Sequence, residues 1–356
     1  MIGGTGLQTG HVVVGVDTHK DQHVAVALDQ LGARLGEHRV ATTTQGYADL
    51  ARWANSFGEV RAFGIEGTGC YGAGLARFLS GSGCRIVEVD RPDRSARRRM
   101  GKSDPIDAEL AARAVLAGVA QGTPKSGVDQ VEIIRMLKST KDSAVKARTQ
   151  AINQMKALVV TAPAELRQVL RGLTASQLIV RCANLRSGAL VTPMAAAKHA
   201  LRSLARRCQQ LMAEIDTFEA DLVKLTAAIA PTLVRTFGVG SDTAATLLIA
   251  AGSNPERLRS EAAFAALCGV SPIPASSGKV NRHRLNRGGD RQANAALHRV
   301  VIVRLRYDQR TMAYMDRRTA EGMTKTEVIR CLKRYVAREI FPLLRKRAGC
   351  NVAEAA

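Results

Sequence analysis

Short aliphatic runs and amphipathic stretches alternate through the first third of the chain. Five runs rich in β-branched residues predict strands at 12–17, 23–28, 34–40, 60–66 and 85–90. Between and after them, apolar residues at helical spacing predict helices at 44–57, 71–79 and 104–116. The predicted order is therefore β-β-β-α-β-α-β-α, with the first three strands forming a meander.

This order is that of an RNase H-like (RuvC-like) α/β domain, which we expect to span residues 11–122. In such a sheet the first and fourth strands are neighbours, and the last helix packs across them. Residues 1–10 are rich in glycine and are predicted to form a flexible N-terminus.

Four carboxylates occupy positions that this fold would bring together. Asp17 ends the first predicted strand, Glu66 ends the fourth, and Asp104 and Asp107 open the last helix. Positions three apart share one helix face, so both aspartates can point at one spot. Uncompensated acids in one place are unfavourable unless cations neutralise them. Two Mg²⁺ ions, which prefer oxygen ligands and can clamp a phosphodiester, would satisfy such a cluster.

Each acid also has an ordinary structural interpretation. Pro105 suits the first position of a helix, which predicts Asp104 as the cap and makes Asp104 and Asp107 resemble a capping arrangement. Carboxylates at a helix N-terminus are favourable through the helix dipole alone. Asp17 and Glu66, taken singly, resemble polar residues that end strands. The metal interpretation therefore depends on all four acids occurring in this order.

A dense basic strip precedes the acidic helix. Arg94, Arg97, Arg98 and Lys102 lie close together there, and beside paired carboxylates such a strip suits the phosphate backbone of a nucleic acid. The charge of the whole chain also favours a nucleic acid as partner. Its 356 residues carry a formal net charge of +21, and its pI is near 10.4. Charge of this size favours a polyanionic partner.

Other compositional features narrow the class of protein. Hydrophobic residues make up 46% of the chain, which is ample for real cores. The seven cysteines are scattered without CxxC spacing, which argues against a disulfide framework and against a zinc cluster. We see neither an apolar run long enough to span a membrane nor an N-terminal signal segment. We therefore expect a cytoplasmic protein that binds nucleic acid.

The middle region, residues 123–231, is predicted to be helical and to serve oligomerisation. Residues 128–160 have a charged helical pattern, and a long helix follows from Pro193 to just before Pro231. Apolar residues of the long helix alternate steps of three and four, as in a heptad seam: Leu201, Leu204, Cys208, Leu211, Ile215, Phe218, Leu222, Leu225 and Ile229. This seam either packs against 128–160 within the chain or forms a dimeric coiled coil.

The C-terminal region, residues 232–348, carries two further candidate elements. Gly238 and Gly240 precede a helical pattern, which is typical of a helix-hairpin-helix turn whose backbone N–H groups meet a phosphate. A Pro/Ser/Gly loop at 269–279 is predicted to lack secondary structure and presents Ser276 and Ser277. Five cations lie in and after this loop: Lys279, Arg282, Arg284, Arg287 and Arg291.

The residues alone do not decide what the serine loop does. It could bind phosphate or be an ordinary basic surface loop, and no Ser–His–Asp or Ser–Lys arrangement is visible that would make Ser277 a nucleophile. Residues 292–347 are predicted to be helical and rich in arginine. A short flexible tail, 349–356, is expected to follow.

With these residues in view, the chain resembles the insertion-sequence one-ten family of transposases, the bridge-RNA-guided DEDD recombinases. The resemblance covers about residues 11–345, and both halves carry it. The N-terminal half matches in Gly15-Val-Asp17-Thr-His-Lys20, Ile65-Glu66-Gly-Thr-Gly69 and Gly101-Lys-Ser-Asp104-Pro-Ile-Asp107-Ala108. The C-terminal half matches in Phe237-Gly-Val-Gly240, Ala275-Ser-Ser277-Gly-Lys279 and Arg287-Gly-Gly-Asp-Arg-Gln-Ala-Asn-Ala-Ala-Leu297.

The resemblance implies a specific chemistry. It implies a RuvC-like domain whose four acids bind Mg²⁺, here Asp17, Glu66, Asp104 and Asp107. It also implies a second domain whose serine attacks DNA covalently, by the motif Ser277, with Ser276 beside it leaving the register slightly open. The phosphoserine intermediate would then be exchanged with a free 3′ hydroxyl, which needs no ATP.

The resemblance also implies a nucleoid-associated protein of prokaryotic type and the partners of its reaction. These are donor DNA, target DNA and a structured guide (bridge) RNA encoded in the element, with homodimers pairing into tetramers through the coiled coil. Two other functions remain open at this point. A RuvC-like nuclease of the junction-resolvase type would need the four acids but not Ser277, and a non-catalytic basic protein would need only the charge.

Overall fold

The computed structural model describes residues 10–89, 103–254, 257–278 and 283–345. Within the chain, two compact units are distinguished. The first consists of the chain up to Asp129 together with Gly252–Arg259, and the second of Gln130–Ala251 and the chain from Ser260 onward. None of the described helices is long and apolar enough to cross a membrane. The boundaries predicted at 122/123 and 231/232 stay a prediction.

The first unit is built on a five-stranded sheet with strand order β3-β2-β1-β4-β5. Its strands are β1 (His11–Thr18), β2 (Gln22–Leu28), β3 (Arg34–Ala41), β4 (Glu59–Glu66) and β5 (Ile86–Val89). Strand β1 pairs antiparallel with β2 and parallel with β4, and β4 pairs parallel with β5. The predicted neighbourhood of the first and fourth strands is thus confirmed, and the sheet fits an RNase H-like domain.

Among the described residues, three helices accompany this sheet: α1 (Thr44–Asn55), α2 (Ala73–Gly81) and α3 (Asp104–Leu116). One apolar core lies where α1 and α2 meet the sheet, with Leu50, Phe63, Ile65, Leu75 and Leu79 fully buried. A second core lies beneath α3, which packs on β1, β2 and β4. The predicted passage of the last helix across the first and fourth strands is therefore also confirmed.

A pair of glycines lets α3 lie directly on the strands. Gly15 of β1 and Gly64 of β4 are register partners in the sheet. A Cβ atom on Gly15 would lie 2.0 Å from the Ala108 carbonyl oxygen, and one on Gly64 would lie 3.0 Å from that of Ala111. Side chains at these two positions would hold the helix away from the sheet. The glycines thus set how closely the start of α3 approaches the ends of β1 and β4.

The start of α3 differs from the sequence prediction by one residue. Ser103, not Asp104, is the N-cap, with extended backbone angles, and its carbonyl oxygen accepts from the Asp107 backbone N–H at 3.0 Å. Asp104 is therefore the first residue inside the helix, and Pro105 the second. Proline is tolerated throughout the first turn, where backbone N–H groups have no intrahelical partner. The position of Pro105 therefore does not determine which residue caps the helix.

Where the structure describes it, the second unit is helical apart from one short strand pair. Its first helices are α4 (Gln130–Thr161), α5 (Ala164–Leu170), α6 (Ala175–Ala183) and α7 (Pro193–Ile229). Helices α4 and α7 pack along each other, and Leu201, Leu204 and Cys208 of the α7 seam are buried in one core with Ala151 and Met155 of α4. Packing within the chain, the first of the two alternatives for the seam, is what the structure shows. A dimer through α7 stays a prediction.

The remaining elements of the second unit are α8 (Pro231–Arg235), α9 (Ser241–Ala251), α10 (Glu261–Leu267), β6 (Ile273–Pro274), β7 (His283–Arg284), α11 (Arg291–Tyr307), α12 (Gln309–Ala320) and α13 (Lys325–Arg345). The prediction of a loop without secondary structure at 269–279 is wrong at two residues, because Ile273 and Pro274 pair antiparallel with Arg284 and His283. Two-residue strands are too short to show an alternating pattern, so they could not be predicted from the sequence.

A buried ion network fixes the start of α9. Lys138 and Lys141 of α4 are both under 10% exposed, and their Nζ atoms lie 3.3 and 3.1 Å from Asp242 Oδ1. Arg299 of α11 donates to Asp242 Oδ2 at 2.7 Å, and the Lys141 ammonium also donates a hydrogen bond to the Glu219 carboxylate of α7. Burial opposes ionisation of Asp242, but these cations outweigh it and lower its pKa to about 2.

Candidate functional site

The acidic cluster begins at two adjacent strand ends. The last paired residues of β1 and β4 are Val16 and Ile65, so Asp17 and Glu66 follow side by side at the carboxyl edge of the sheet. The Thr18 hydroxyl donates to the Glu66 carbonyl oxygen at 2.8 Å, which holds the two strand ends together. The parallel pairing thus brings together two acids that are separated by almost fifty residues in the sequence.

Helix α3 adds the other two acids from above the sheet. A carboxylate oxygen of Asp17, one of Asp104 and a ring nitrogen of His19 all lie within 4.8 Å of one another. The His19 ring bridges the aspartates, with Nδ1 3.9 Å from Asp17 Oδ2 and Nε2 3.8 Å from Asp104 Oδ1. Asp107 is buried at 5% exposure. The arrangement can hold a cation between the sheet and the helix.

The charges of the other three acids all act on the carboxyl group of Asp17. The pKa of Asp17 rises from 3.8 to about 6, mainly through burial and then through the charges of Glu66, Asp107 and Asp104, while His19 lowers it. The described residues therefore leave repulsion among the carboxylates only partly compensated. A divalent cation with a preference for oxygen ligands would relieve that repulsion, and the donor set fits such an ion.

Replacing Asp17 by asparagine is expected to stabilise the protein without divalent ions. The folded pKa of about 6 lies above the ordinary 3.8, so ionised Asp17 opposes folding fully above pH 6, and the opposition vanishes below pH 4. D17N should raise the free energy of unfolding at pH 7.5 by about 2 to 3 kcal/mol, at roughly 1.4 kcal/mol per pKa unit. Urea denaturation in EDTA at pH 7.5 and pH 4 measures it.

The matched control is Asp21→Asn, which neutralises an exposed carboxyl in the turn after β1 and should change stability by less than about 0.5 kcal/mol. A stabilisation by D17N that persists unchanged at pH 4 would show that packing rather than charge is responsible. No stabilisation at pH 7.5 would show that burial and the neighbouring charges do not oppose the ionisation of Asp17.

A turn after Glu66 is anchored to the edge strand. Gly67 has a φ of +71°, which favours glycine, and the next residue, Thr68, is buried and donates to Glu88 Oε1 of β5 at 2.6 Å. Arg257 Nη2, in the Gly252–Arg259 segment of the same unit, lies 3.5 Å from Glu88 Oε2. This chain of contacts fixes the backbone that immediately follows Glu66.

Sequence reasoning missed His19, Thr68 and Glu88 as parts of this region. His19 lies only two residues after Asp17, but a single histidine in a turn is more typical of an ordinary surface position. A further signal was available: each strand acid follows a glycine by two residues, in Gly15-Val-Asp17 and Gly64-Ile-Glu66. That repeat marks the two positions on which α3 rests.

The candidate nucleophile lies between the two short strands of the second unit. Ser276, Ser277 and Gly278 follow β6 and are exposed, and Gly278 has a φ of +55°. Three of the predicted cations are also exposed here, namely Arg284 on β7, Arg287 in the following loop and Arg291 at the start of α11. The other predicted cations lie outside the described residues: Arg94, Arg97, Arg98, Lys102, Lys279 and Arg282.

The Arg287-Gly-Gly-Asp-Arg291 motif has a structural role in the described fold. Gly289 has a φ of +85°, and a Cβ there would lie 2.6 Å from the Leu267 carbonyl oxygen. Asp290 caps α11 by accepting from the backbone N–H groups of Gln292 and Ala293 at 2.8 and 3.1 Å. The motif therefore presses the loop after β7 against the end of α10 and starts the next helix.

The predicted glycine hairpin occupies the turn between α8 and α9. Gly238 has a φ of +87°, and α9 begins at Ser241, directly after Gly240. A Cβ on Gly238 would lie 3.3 Å from the Val300 carbonyl oxygen, so α11 also limits this position. The turn itself accords with the predicted position of the two glycines.

Both halves of the chain match models of known protein families. Residues 14–162 match the DEDD transposase model of the IS110 group, and residues 230–316 match the model described as "Transposase IS116/IS110/IS902 family". The "Insertion element IS900 uncharacterized 42 kDa protein" of Mycobacterium paratuberculosis is 23% identical, over 95% of this chain and 96% of the relative. The first match contains all four clustered acids and the second contains Ser277. With both characteristic parts present in the expected order, the chain belongs to the IS110 family of transposases and is a DNA-recombining enzyme.

Proposed function

We propose that this transposase cuts and rejoins DNA through a covalent phosphoserine intermediate, under the direction of a guide RNA. In this proposal Asp17, Glu66, Asp104 and Asp107 bind Mg²⁺, and Ser277 is the nucleophile. The observation that carries it is that Asp17, Asp104 and His19 offer ligand atoms within 4.8 Å of one another at one sheet edge. Burial, and then the charges of Glu66, Asp107 and Asp104, raise the pKa of Asp17 there to about 6. An arrangement of this kind supports a cation site.

The four carboxylates would supply an all-oxygen ligand set, which suits Mg²⁺ better than Zn²⁺. When bound, Mg²⁺ would stabilise negative charge on a phosphodiester undergoing displacement. His19 is less suited as a magnesium ligand. Its ring nitrogens lie 3.9 Å from Asp17 and 3.8 Å from Asp104, beyond hydrogen-bond distance, and this position favours a role in orienting the two carboxylates at longer range.

The serine step conserves the number of phosphodiester bonds. The Ser277 Oγ atom attacks the scissile phosphorus, an Oγ–P bond forms, and the P–O3′ bond breaks. The serine proton passes to a base or to water, and the departing 3′ oxygen is protonated. A free 3′ hydroxyl of another strand then attacks the phosphoserine, forms a new P–O3′ bond and releases the serine. Covalent capture divides one difficult exchange into two easier ones.

Nucleic acid would be held mainly through its backbone. Arg284, Arg287 and Arg291 are exposed near the serine, and we propose that they contact phosphates together with Arg94, Arg97, Arg98, Lys102, Lys279 and Arg282. The backbone N–H groups of the Gly238–Gly240 turn would add a further contact, as in a helix-hairpin-helix element. Base pairing with the guide RNA would then select the donor and target sequences.

We further propose that the protein works as homodimers that pair into a tetramer. The buried α7 seam is already filled by α4 within the chain. A dimer through α7 would therefore use its outward-facing positions, where Met212 and Val223 are 39% and 47% exposed. These are the apolar side chains that the helix leaves accessible for a coiled-coil contact.

The direct test is to trap the covalent intermediate. Purified protein is incubated with the RNA of its flanking element, Mg²⁺, and labelled donor and target DNA. A protein–DNA adduct should appear on a denaturing gel, depend on Mg²⁺, and be removed by protease. Peptide mass spectrometry should place the attached nucleotide on Ser277.

Clean cleavage without any adduct would overturn the covalent mechanism. It would leave a metal-dependent nuclease of the junction-resolvase type, which needs only the acidic cluster. Adduct formation that does not require the RNA would separate the chemistry from the guide and would overturn the RNA-directed part alone.

A further inference from the structure

A cationic cavity lies in the second unit, at the base of the hairpin that carries Ser277. It has a volume of about 560 Å³ and is formed by residues 269–272, by β7 with the loop after it, and by α13. Five cations line it, against one carboxylate, that of Glu327: Arg284, Arg330, Lys333, Arg334 and Arg338. The charge of the cavity is therefore strongly positive.

Much of this positive charge has no carboxylate partner among the residues that the structure describes. Arg334 is paired with Glu261, but within that part of the chain Arg284, Lys333 and Arg338 form no ion pair. The Glu327 carboxylate accepts from the backbone N–H and hydroxyl of Thr324 at 2.9 and 2.7 Å, which holds it at the helix start. An anion entering the cavity would meet cations that are not already neutralised.

Lys333 has a neutral hydrogen-bond partner instead of a carboxylate. It is half-buried, and its Nζ atom donates to a neutral acceptor, Asn294 Oδ1, at 2.9 Å. Burial lowers its pKa, and the charge of Arg330, one turn earlier on α13, lowers it further. Two cations held together with a neutral partner are a favourable place for a phosphate oxygen.

The same lysine is connected to the serine hairpin. The Asn294 amide donates to the carbonyl oxygens of Cys268 and Gly269 at 2.8 and 3.3 Å, where the chain leaves α10 toward β6. Arg284 enters the cavity from β7, the other strand of the pair. The same residues therefore form the base of the hairpin and one wall of the cavity.

We propose that this cavity binds a backbone phosphate of the DNA strand, with Lys333 and Arg330 as its principal ligands. The inference rests on the proposed function and deepens it, because it names a phosphate position beside the segment that carries Ser277. The occupant is DNA rather than guide RNA, since the wall belongs to the hairpin that would meet the scissile strand. Lys333 and Arg330 are then positioning residues that fix the register of the strand.

The test measures how strongly DNA binding depends on salt. Each phosphate contact contributes about 0.9 to the slope of log K against log[salt] on duplex DNA, or about tenfold in affinity at 0.1 M salt. The variant K333Q/R330Q should therefore reduce the slope by about 1.8 and weaken binding roughly a hundredfold. Glutamine at position 333 can still donate to Asn294, so the hairpin base should stay intact.

All proteins in this test carry S277A, so that binding is measured without covalent capture and a failure of the proposed chemistry leaves the result interpretable. The control R306Q/K325Q removes two exposed cations that do not line the cavity and should leave the slope within about 0.5 of the parent protein. The variant K333R/R330Q keeps a cation at position 333, so its slope should fall by only about 0.9, the value for one lost contact.

Three results would overturn the proposal. One is an unchanged slope in K333Q/R330Q, which would mean that no phosphate is held there. Another is an equal loss in the control variant, which would indicate a diffuse effect of net charge. The third is a loss confined to a structured RNA probe with DNA binding unchanged, which would assign the cavity to RNA. Thermal unfolding of each variant checks that the fold is retained.

Discussion

Replacing Ser277 by alanine is expected to abolish the covalent adduct and to slow strand exchange by at least about 10⁴-fold, the scale of nucleophile loss in covalent enzymes. The change removes one hydroxyl from an exposed position after β6, so the fold and the affinity for DNA should be preserved. A gel assay for adducts, a rate assay for strand exchange and a binding assay at fixed salt measure the three quantities separately.

The matched control is Ser276→Ala, one residue earlier in the same exposed segment. It should retain the adduct and at least about a tenth of the rate. Loss of the adduct in S276A with retention in S277A would move the nucleophile by one residue, which the motif alone leaves open. Retention of full activity in both variants would mean that neither serine attacks the DNA, and the metal-dependent nuclease would be the better description.

The sheet and the position of its acids were predictable because they follow from simple periodicity. Buried β-branched runs mark the strands, and a strand's last polar residue marks its carboxyl end. Asp17 and Glu66 become neighbours once β1 and β4 are parallel, and the short β-β-β meander before a helix limits the choice of topology. No side-chain detail was needed for this step.

Other features depend on contacts that a single sequence does not encode. Asp104 was predicted as the cap of α3, but the cap is Ser103, because proline fits more than one position of the first turn. Ile273–Pro274 is too short to show an alternating pattern. A heptad seam specifies a partner helix but not whether that helix belongs to the same chain, and here α4 supplies it. His19 lies near a second carboxylate only because α3 brings Asp104 to 3.8 Å from its ring, a contact that sequence order does not show.

Replacing Gly15 by alanine is expected to lower the free energy of unfolding by about 3 kcal/mol or more, the upper range for overpacking a core. The added Cβ would lie 2.0 Å from the Ala108 carbonyl oxygen and 2.4 Å from the Ala112 nitrogen. Both are backbone atoms of α3, so no side chain can rotate to make room. The helix has to lift away from β1, and Asp104 and Asp107 move with it.

The activity of Gly15→Ala should therefore fall even at temperatures where the protein is folded, because the two acids of α3 no longer meet Asp17 and Glu66. Urea denaturation and the strand-exchange rate at low temperature measure the two effects. The control Gly81→Ala places a methyl group at the end of α2 with nothing within 4 Å and should be neutral or stabilising by up to about 1 kcal/mol. Wild-type stability in Gly15→Ala would mean that α3 does not rest on β1. The acids of α3 would then have no fixed position above the sheet, and the cluster itself would lose its structural basis.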